Sequence, residues 1–243
     1  AGARPDAMSK SKVKTLGFIG FANAYGDGWL DVMQKAAKAK GIEIVSIEKY
    51  SRTDTRVTGQ VLKLIGAKPH AILIAGAGTP SALPQKELKA RNYGGTIYQT
   101  HGAANNDVQR VCGKDCDGMY LPAGPLLVAA QLPDSNPVKK SALAYVETYE
   151  KANGAGSTNT FGGHMWDAGQ LVVAALPAAL KTGAKPGTPE FRAAMRDALE
   201  NVKDLAASQG VFNMSPTDHA GFDERSRVIV KVEGGKWVYQ PGL

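Results

Sequence analysis

The sequence predicts an α/β fold in which helices flank a mostly parallel sheet. Short apolar segments recur at intervals of about 25 to 30 residues, the length of one strand-loop-helix unit. Amphipathic segments with helical spacing lie between them. The apolar segments are continuous instead of alternating, which indicates strands buried on both faces, as in a parallel sheet covered by helices.

The first part of the chain contains most of these predicted strands. We expect them at residues 13–21, 42–47, 71–75, 96–99 and 118–121. Right-handed crossovers between parallel strands would place every strand-to-helix loop at one edge of the sheet. Ligands of such sheets bind at that edge, so the loops at 22–28, 76–81 and 100–106 are the predicted location of a site.

The remainder of the chain reads differently. Three helices are predicted, at 141–151, at 164–181 and after an N-cap at Thr188 followed by Pro189. A terminal β-hairpin follows, with Gly234 and Gly235 in its turn. No strand is predicted among the three helices, although the second is strongly apolar. We therefore expect apolar helix surface to be exposed there unless something covers it.

Composition argues against several classes of protein. The net charge is +7, but the 29 basic residues are spread along the chain, mostly on predicted helix faces and without a recognition motif, so no nucleic-acid partner is expected. No stretch approaches the roughly 20 apolar residues of a membrane-spanning helix, which predicts a soluble protein. The first 12 residues lack the apolar segment of a signal peptide.

Catalytic motifs are also missing from the sequence. It contains no dinucleotide-binding glycine pattern after the first strand, no P-loop and no Gly-x-Ser-x-Gly nucleophile motif. The four histidines show no metal-ligand spacing. We predict a protein that is not an enzyme and has no cofactor or metal. Cys112 and Cys116 form either a local disulfide in an oxidising compartment or two free thiols.

Several segments resemble one known family. They read GFIG at 17–20, AYGDGW at 24–29, DGMYLP at 117–122, TFGGHMWDA at 160–168 and GVFNMSPTDH at 210–219. In this order they resemble the periplasmic solute-binding proteins of ABC transporters, in the branched-chain amino acid (Leu/Ile/Val-binding) class. The resemblance implies a type I periplasmic-binding fold with two lobes that close over a solute in the cleft between them. It also implies a periplasmic or extracytoplasmic location and a membrane permease as partner.

The resemblance also assigns parts of the chain to lobes. Residues 1–12 would be a tail and 13–121 the α/β ligand-binding lobe. Residues 122–208 resemble helices of the other lobe, and 209–243 a return crossing with the terminal hairpin. That other lobe is the first lobe of the family, and its N-terminal part, normally a sheet, has no counterpart in the sequence.

Candidate ligand contacts follow from the matching positions. Tyr25 lies where similar proteins place an aromatic residue against the ligand; the alternative is packing on its own lobe. Ala77, Gly78 and Thr79 would let a ligand approach the backbone, although Thr79 fits an N-cap equally well. Phe161 resembles a cleft residue of the other lobe, with packing as the alternative.

The segment His101, Gly102 and Ala103 bears on the ligand class. Branched-chain amino acid binders usually carry an acidic residue there to pair with the ligand ammonium, and His101 supplies no fixed negative charge. This favours small aliphatic or aromatic carboxylates over amino acids, unless His101 is only a surface residue.

The sequence therefore predicts a solute-binding component of an ABC importer that captures an amino acid or related small carboxylate. Two alternatives stay open. One is a ligand-sensing regulatory domain of the same fold. The other is a truncated, non-binding fragment that self-associates through its exposed helices.

Overall fold

The structure is a computed structural model that describes Met8 and residues 12–243, arranged as two units. Unit 1 combines the chain up to Ala123 with Val228–Leu243, and unit 2 comprises Gly124–Arg227. Apart from Met8 and Lys12, the expected tail at 1–12 lies outside the described residues.

The strands of the described chain form two sheets. In chain order they are β1 Thr15–Phe21, β2 Glu43–Tyr50, β3 Ala71–Ala75, β4 Thr96–Gln99, β5 Tyr120–Ala123, β6 Leu205–Ala206, β7 Val211–Phe212, β8 Val228–Glu233 and β9 Lys236–Tyr239. Seven strands of unit 1 form one sheet in the order β2-β1-β3-β4-β5-β8-β9, in which β1 to β5 are parallel and β8 and β9 antiparallel. Unit 2 holds the short antiparallel pair β6-β7.

The helices occupy the connections between strands. They are α1 Ala24–Ala39, α2 Thr58–Gly66, α3 Ala82–Ala90, α4 Asn106–Cys112, α5 Lys139–Asn153, α6 Thr160–Leu180 and α7 Pro189–Glu200. The first four belong to unit 1 and the last three to unit 2. Short 3-10 turns at Thr79–Ser81 and His101–Ala103 follow β3 and β4.

The unit 1 sheet is covered on both faces, which explains its continuous apolar strands. On one face Leu16 and Phe18 of β1 pack with Met33 of α1. On the other face Ile19 and Phe21 pack with residues of α2 and α3. The predicted α/β fold with a mostly parallel sheet flanked by helices is confirmed.

Unit 2 is built from helices around two small apolar clusters. One cluster gathers Tyr145 of α5 with Trp166 of α6, and the other packs α6 and α7 against Phe212 and Met214. The Thr188 side chain accepts a hydrogen bond from the Phe191 N–H at 3.2 Å, which confirms the predicted N-cap.

Three features of unit 2 differ from the sequence-based expectation or extend it. Helix α6 begins at Thr160 because Asn159 caps it, and it continues through Pro177. Residues 209–227 cluster with unit 2 instead of with the terminal hairpin, since β7 pairs with β6 and Phe212 packs on Phe222 with ring centres 4.4 Å apart.

One face of α6 is apolar and unpaired within unit 2. Its exposed side chains include Phe161, Met165, Val172, Val173 and Leu180, with Met165 74% exposed and Val173 66% exposed. Within the described part of the chain, no helix combines the length and the hydropathy needed to cross a membrane.

Candidate functional site

The candidate site lies at the carboxyl edge of the unit 1 sheet. Because β1 to β4 are parallel, the connections that leave them all begin at this edge. They carry Tyr25 after β1, Arg52 after β2, the Gly76–Gly78 turn after β3 and His101 after β4.

Tyr25 is fixed in the first turn of α1. The Asn23 side chain caps the helix by accepting the N–H groups of Tyr25 at 3.0 Å and Gly26 at 3.2 Å. A methyl group on Gly26 would collide with the Phe21 carbonyl, so glycine permits the close turn from β1 into α1. The half-buried Tyr25 ring is therefore presented at the edge by a rigid local structure.

The hydroxyl of Tyr25 is held from a distant part of the chain. It donates to the Thr100 hydroxyl oxygen at 2.9 Å, and the Thr100 hydroxyl donates in turn to the Gly76 carbonyl. Thr100 is fully buried. This chain of hydrogen bonds ties together the ends of β1, β3 and β4, so the ring and its hydroxyl have a fixed position before any solute arrives.

Two more rings extend the aromatic surface. Trp29 lies one helical turn after Tyr25, with the ring centres 6.4 Å apart in an edge-on arrangement. The exposed His101 ring contacts Trp29 at 5.9 Å between centres. Tyr25, Trp29 and His101 thus form a continuous aromatic patch, which offers apolar faces together with polar edges.

Small residues bring the β3 and β4 loops into contact. The Gly78 N–H donates to the Gly102 carbonyl at 2.8 Å. A methyl group added to Gly102 would lie 2.7 Å from the Ala77 Cβ and 2.9 Å from the Tyr25 hydroxyl. Glycine at 102 is therefore needed for the loops to approach Tyr25 this closely. Ala103 is buried directly beyond it.

Thr79 does not act as a helix cap. Gly78, with φ +61°, precedes the 3-10 turn, and neither that turn nor α3 has a side-chain cap hydrogen bond. Thr79 is exposed instead. The capping alternative is wrong because the chain turns through Thr79–Ser81 before α3 begins, so the Thr79 hydroxyl remains at the edge.

The charged groups of the edge connections are few. Asp27 pairs with Lys49 at 2.6 Å, and Asp54 accepts the Ser51 N–H at 2.8 Å. The Arg52 guanidinium lies over the Phe21 ring, 5.5 Å from its centre.

Phe161, the predicted contact from the other lobe, lies in unit 2. It is 59% exposed in the first turn of α6, on the apolar face of that helix. Packing within unit 2, the alternative interpretation, does not bury this ring.

Unit 2 also contains one buried carboxylate. Asp167 is 1% exposed and accepts the backbone N–H groups of Ser208 and Gln209, each at 2.8 Å. Burial raises the pKa of Asp167 above its ordinary value, although these two hydrogen bonds lower it in part. The carboxylate fastens α6 to the segment between β6 and β7.

Cys112 and Cys116 lie in the arrangement of a disulfide, with Cα atoms 5.4 Å apart, and both are buried. They join the end of α4 to the 3-10 turn at Gly113–Cys116. In the residues that the structure covers, no group of three or more His, Cys, Asp or Glu side chains is placed to hold a metal ion.

Comparison with known proteins identifies the family. A model described as periplasmic binding protein matches residues 4–236. The chain belongs to the periplasmic binding protein family. The chain resembles solute-binding proteins of this family over almost its whole length, as its segments at 17–29 and 160–168 predicted.

Solved structures of this family show the same fold. An extracellular ligand-binding receptor from Rhodopseudomonas palustris is 45% identical, with a TM-score of 0.93, and the match covers 97% of this chain and 66% of that chain. A solute-binding protein of an R. palustris ABC transporter, in complex with benzoate, is 20% identical with a TM-score of 0.74 (97% of this chain, 60% of that chain). A leucine-binding protein from Thermotoga maritima is 18% identical with a TM-score of 0.76 (98% and 64%).

This chain therefore spans just under two thirds of the length of these solved periplasmic binding proteins. The comparison with curated protein sequences found no match.

Sequence reasoning missed three residues of the edge. Trp29 was not named as a ligand contact, although its spacing of four from Tyr25 places both residues on one helix face. Thr100 and Arg52 were not singled out. Arg52 lies five residues beyond the strand predicted at 42–47, and the observed strand extends to Tyr50, which brings Arg52 to the start of the connection at the sheet edge.

Proposed function

We propose that this chain is a solute-binding component of an ABC importer and that it captures a small carboxylate at the aromatic patch of unit 1. The observation that carries the proposal is the preformed hydrogen-bond chain from Tyr25 through Thr100 to Gly76 at the carboxyl edge of the sheet. Membership of a solute-binding family supports the general activity. The solute-loaded form would dock on a membrane permease outside the cytoplasm.

The charges at the edge support a ligand without an ammonium group. Amino acids need a carboxylate for their ammonium, and the two acidic side chains in these connections, Asp27 and Asp54, already have partners. Aromatic rings suit a flat organic acid. The neighbouring proteins named for benzoate and leucine represent the two ligand classes to be compared.

Isothermal titration calorimetry of the 243-residue chain tests the proposal with benzoate and with leucine. We expect benzoate to bind more tightly than leucine. Tyr25→Ala should weaken benzoate binding about tenfold or more, because it removes both a ring face and a fixed hydroxyl. Tyr25→Phe, which retains the ring, should have a smaller effect.

A circular dichroism spectrum identical to wild type serves as the folding control for both variants. Absence of binding to either compound by the folded chain would refute the proposed function. Unchanged affinity of Tyr25→Ala would remove Tyr25 from the site.

A second candidate function rests on the apolar face of α6. Its exposed side chains at Phe161, Met165 and Val173 favour self-association of this chain, because large exposed apolar patches are contact surfaces in water. Sedimentation velocity over a range of concentrations tests whether the chain self-associates. Dimers that dissociate in Met165→Lys and Val173→Lys would support self-association, whereas a wild-type monomer at all concentrations would refute it.

A further inference from the structure

We infer that Arg52 is the residue of unit 1 that binds the carboxylate of the solute. This inference rests on the proposed function and assigns the recognition of charge to one residue. The argument uses the position of Arg52, the rigidity of its turn and the charges around it.

Arg52 lies next to the aromatic patch. Its guanidinium covers the Phe21 ring at 5.5 Å, and the Phe21 ring contacts the Tyr25 ring with centres 6.3 Å apart. Arg52 and Tyr25 thus both contact the ring of Phe21. Both residues follow neighbouring parallel strands, β2 and β1, at the same edge of the sheet.

The turn that carries Arg52 is held by its own hydrogen bonds. Asp54 accepts the Ser51 N–H at 2.8 Å, and the Asp54 N–H donates to the Ser51 carbonyl at 3.2 Å. The hydroxyls of Ser51 and Thr53 lie 3.0 Å apart. Arg52 therefore projects from an ordered turn, which reduces the entropy lost when its guanidinium engages a ligand.

The guanidinium is charged and has unused donors. Arginine stays protonated and presents a planar set of N–H groups that matches a carboxylate through two parallel hydrogen bonds. Among the described residues no carboxylate lies within ion-pair distance of Arg52, and the nearby Asp27 is paired with Lys49. Stacking on Phe21 leaves the edge of the guanidinium free for an anion.

Arg56 provides a matched control within the same connection. It is an exposed arginine four residues after Arg52, and the described residues show no ring contact or ion pair for it. Removing Arg52 or Arg56 changes the net charge of the chain equally. A difference in benzoate affinity between the two variants is therefore due to the position of the arginine and not to the overall charge.

The experiment measures dissociation constants for benzoate and for benzamide, its neutral analogue of similar shape, by calorimetry of the 243-residue chain. We expect Arg52→Gln to weaken benzoate binding about tenfold or more and to leave benzamide binding unchanged. Arg52→Lys should give an intermediate loss, since lysine keeps the charge but not the paired donors. Arg56→Gln should match the wild type with both compounds.

Two results would overturn the assignment while leaving the proposed function intact. One is a wild-type chain that binds benzoate, with Arg52→Gln no weaker than Arg56→Gln. The other is an equal loss for benzoate and benzamide, which would mean that Arg52 only packs on Phe21. A folded wild-type chain that binds neither benzoate nor leucine would instead refute the proposed function, and the assignment with it.

Discussion

Replacing the buried carboxylate of Asp167 with a methyl group tests how unit 2 is held together. Asp167→Ala leaves the N–H groups of Ser208 and Gln209 without their acceptors at a position that is 1% exposed. A buried donor without a partner costs about 1–3 kcal/mol. Release of the energetic cost of burying a carboxylate offsets part of the loss. We therefore expect the free energy of unfolding to fall by about 3 kcal/mol.

Urea denaturation followed by tryptophan fluorescence measures this loss. The chain has three tryptophans, and Trp29 and Trp237 lie in unit 1. In a Trp29→Phe, Trp237→Phe background, Trp166 reports on unit 2 alone, since its ring contacts Tyr145 at 5.4 Å between centres.

Asp197→Ala is the matched control, because this aspartate of α7 has a side chain 59% exposed and forms an ion pair with its neighbour Arg196. Its effect should stay within about 0.5 kcal/mol, as is usual at the surface. If Asp167→Ala destabilises unit 2 no more than this control, the assigned role of Asp167 is refuted.

The pH dependence gives a second measurement at the same residue. Burial raises the pKa of Asp167 in the folded state, so the folded chain binds this proton more readily than the unfolded chain. The Asp167 contribution to the free energy of unfolding should therefore decrease as pH rises from the ordinary carboxylate pKa through the raised value. The deficit of Asp167→Ala relative to wild type should shrink over that window. A deficit that grows with pH would contradict the direction of the shift.

Further predictions concern unit 1. Asn23→Ala should lower the free energy of unfolding by about 1 kcal/mol through loss of the α1 cap, measured by urea denaturation with Asn23→Ser as a control that keeps a capping oxygen. Gly102→Ala should weaken benzoate binding without unfolding the chain, because its methyl group presses on the Tyr25 hydroxyl; wild-type affinity would show that the loops adjust freely. Cys112 and Cys116 should resist maleimide labelling in denaturant until a reductant is added. Labelling without reductant would contradict the disulfide.

The sheet of unit 1 was accessible to sequence reasoning because its central strands β1 and β3 are buried on both faces. That burial leaves a continuous apolar run, as in Ala71–Ala75. Unit 2 was less accessible. The segment 209–227 pairs with unit 2 through two-residue strands, which are too short for any periodicity to mark.

The site was only partly accessible for a related reason. Tyr25 was found through a family resemblance, but its hydrogen-bond partner Thr100 lies 75 residues away, and no local pattern connects the two. A threonine before a helical segment favours capping, but this alternative for Thr79 failed because the positive φ of Gly78 opens a 3-10 turn that leaves Thr79 exposed. The order of the strands in the sheet determines which side chains meet across parallel strands, and the sequence does not specify that order.

The chain leaves unit 1 at Ala123 and returns to it only at Val228, and this has a consequence during synthesis. β5 pairs on one side with β4, and its other edge is covered by β8. A ribosome that has made β1 to β5 must still produce the whole of unit 2 before β8 emerges. Throughout that interval the nascent sheet has an open edge at which another nascent chain can add a strand. Slow translation of residues 124–227 should therefore increase co-aggregation of this protein, and chaperone binding to the open edge should reduce it.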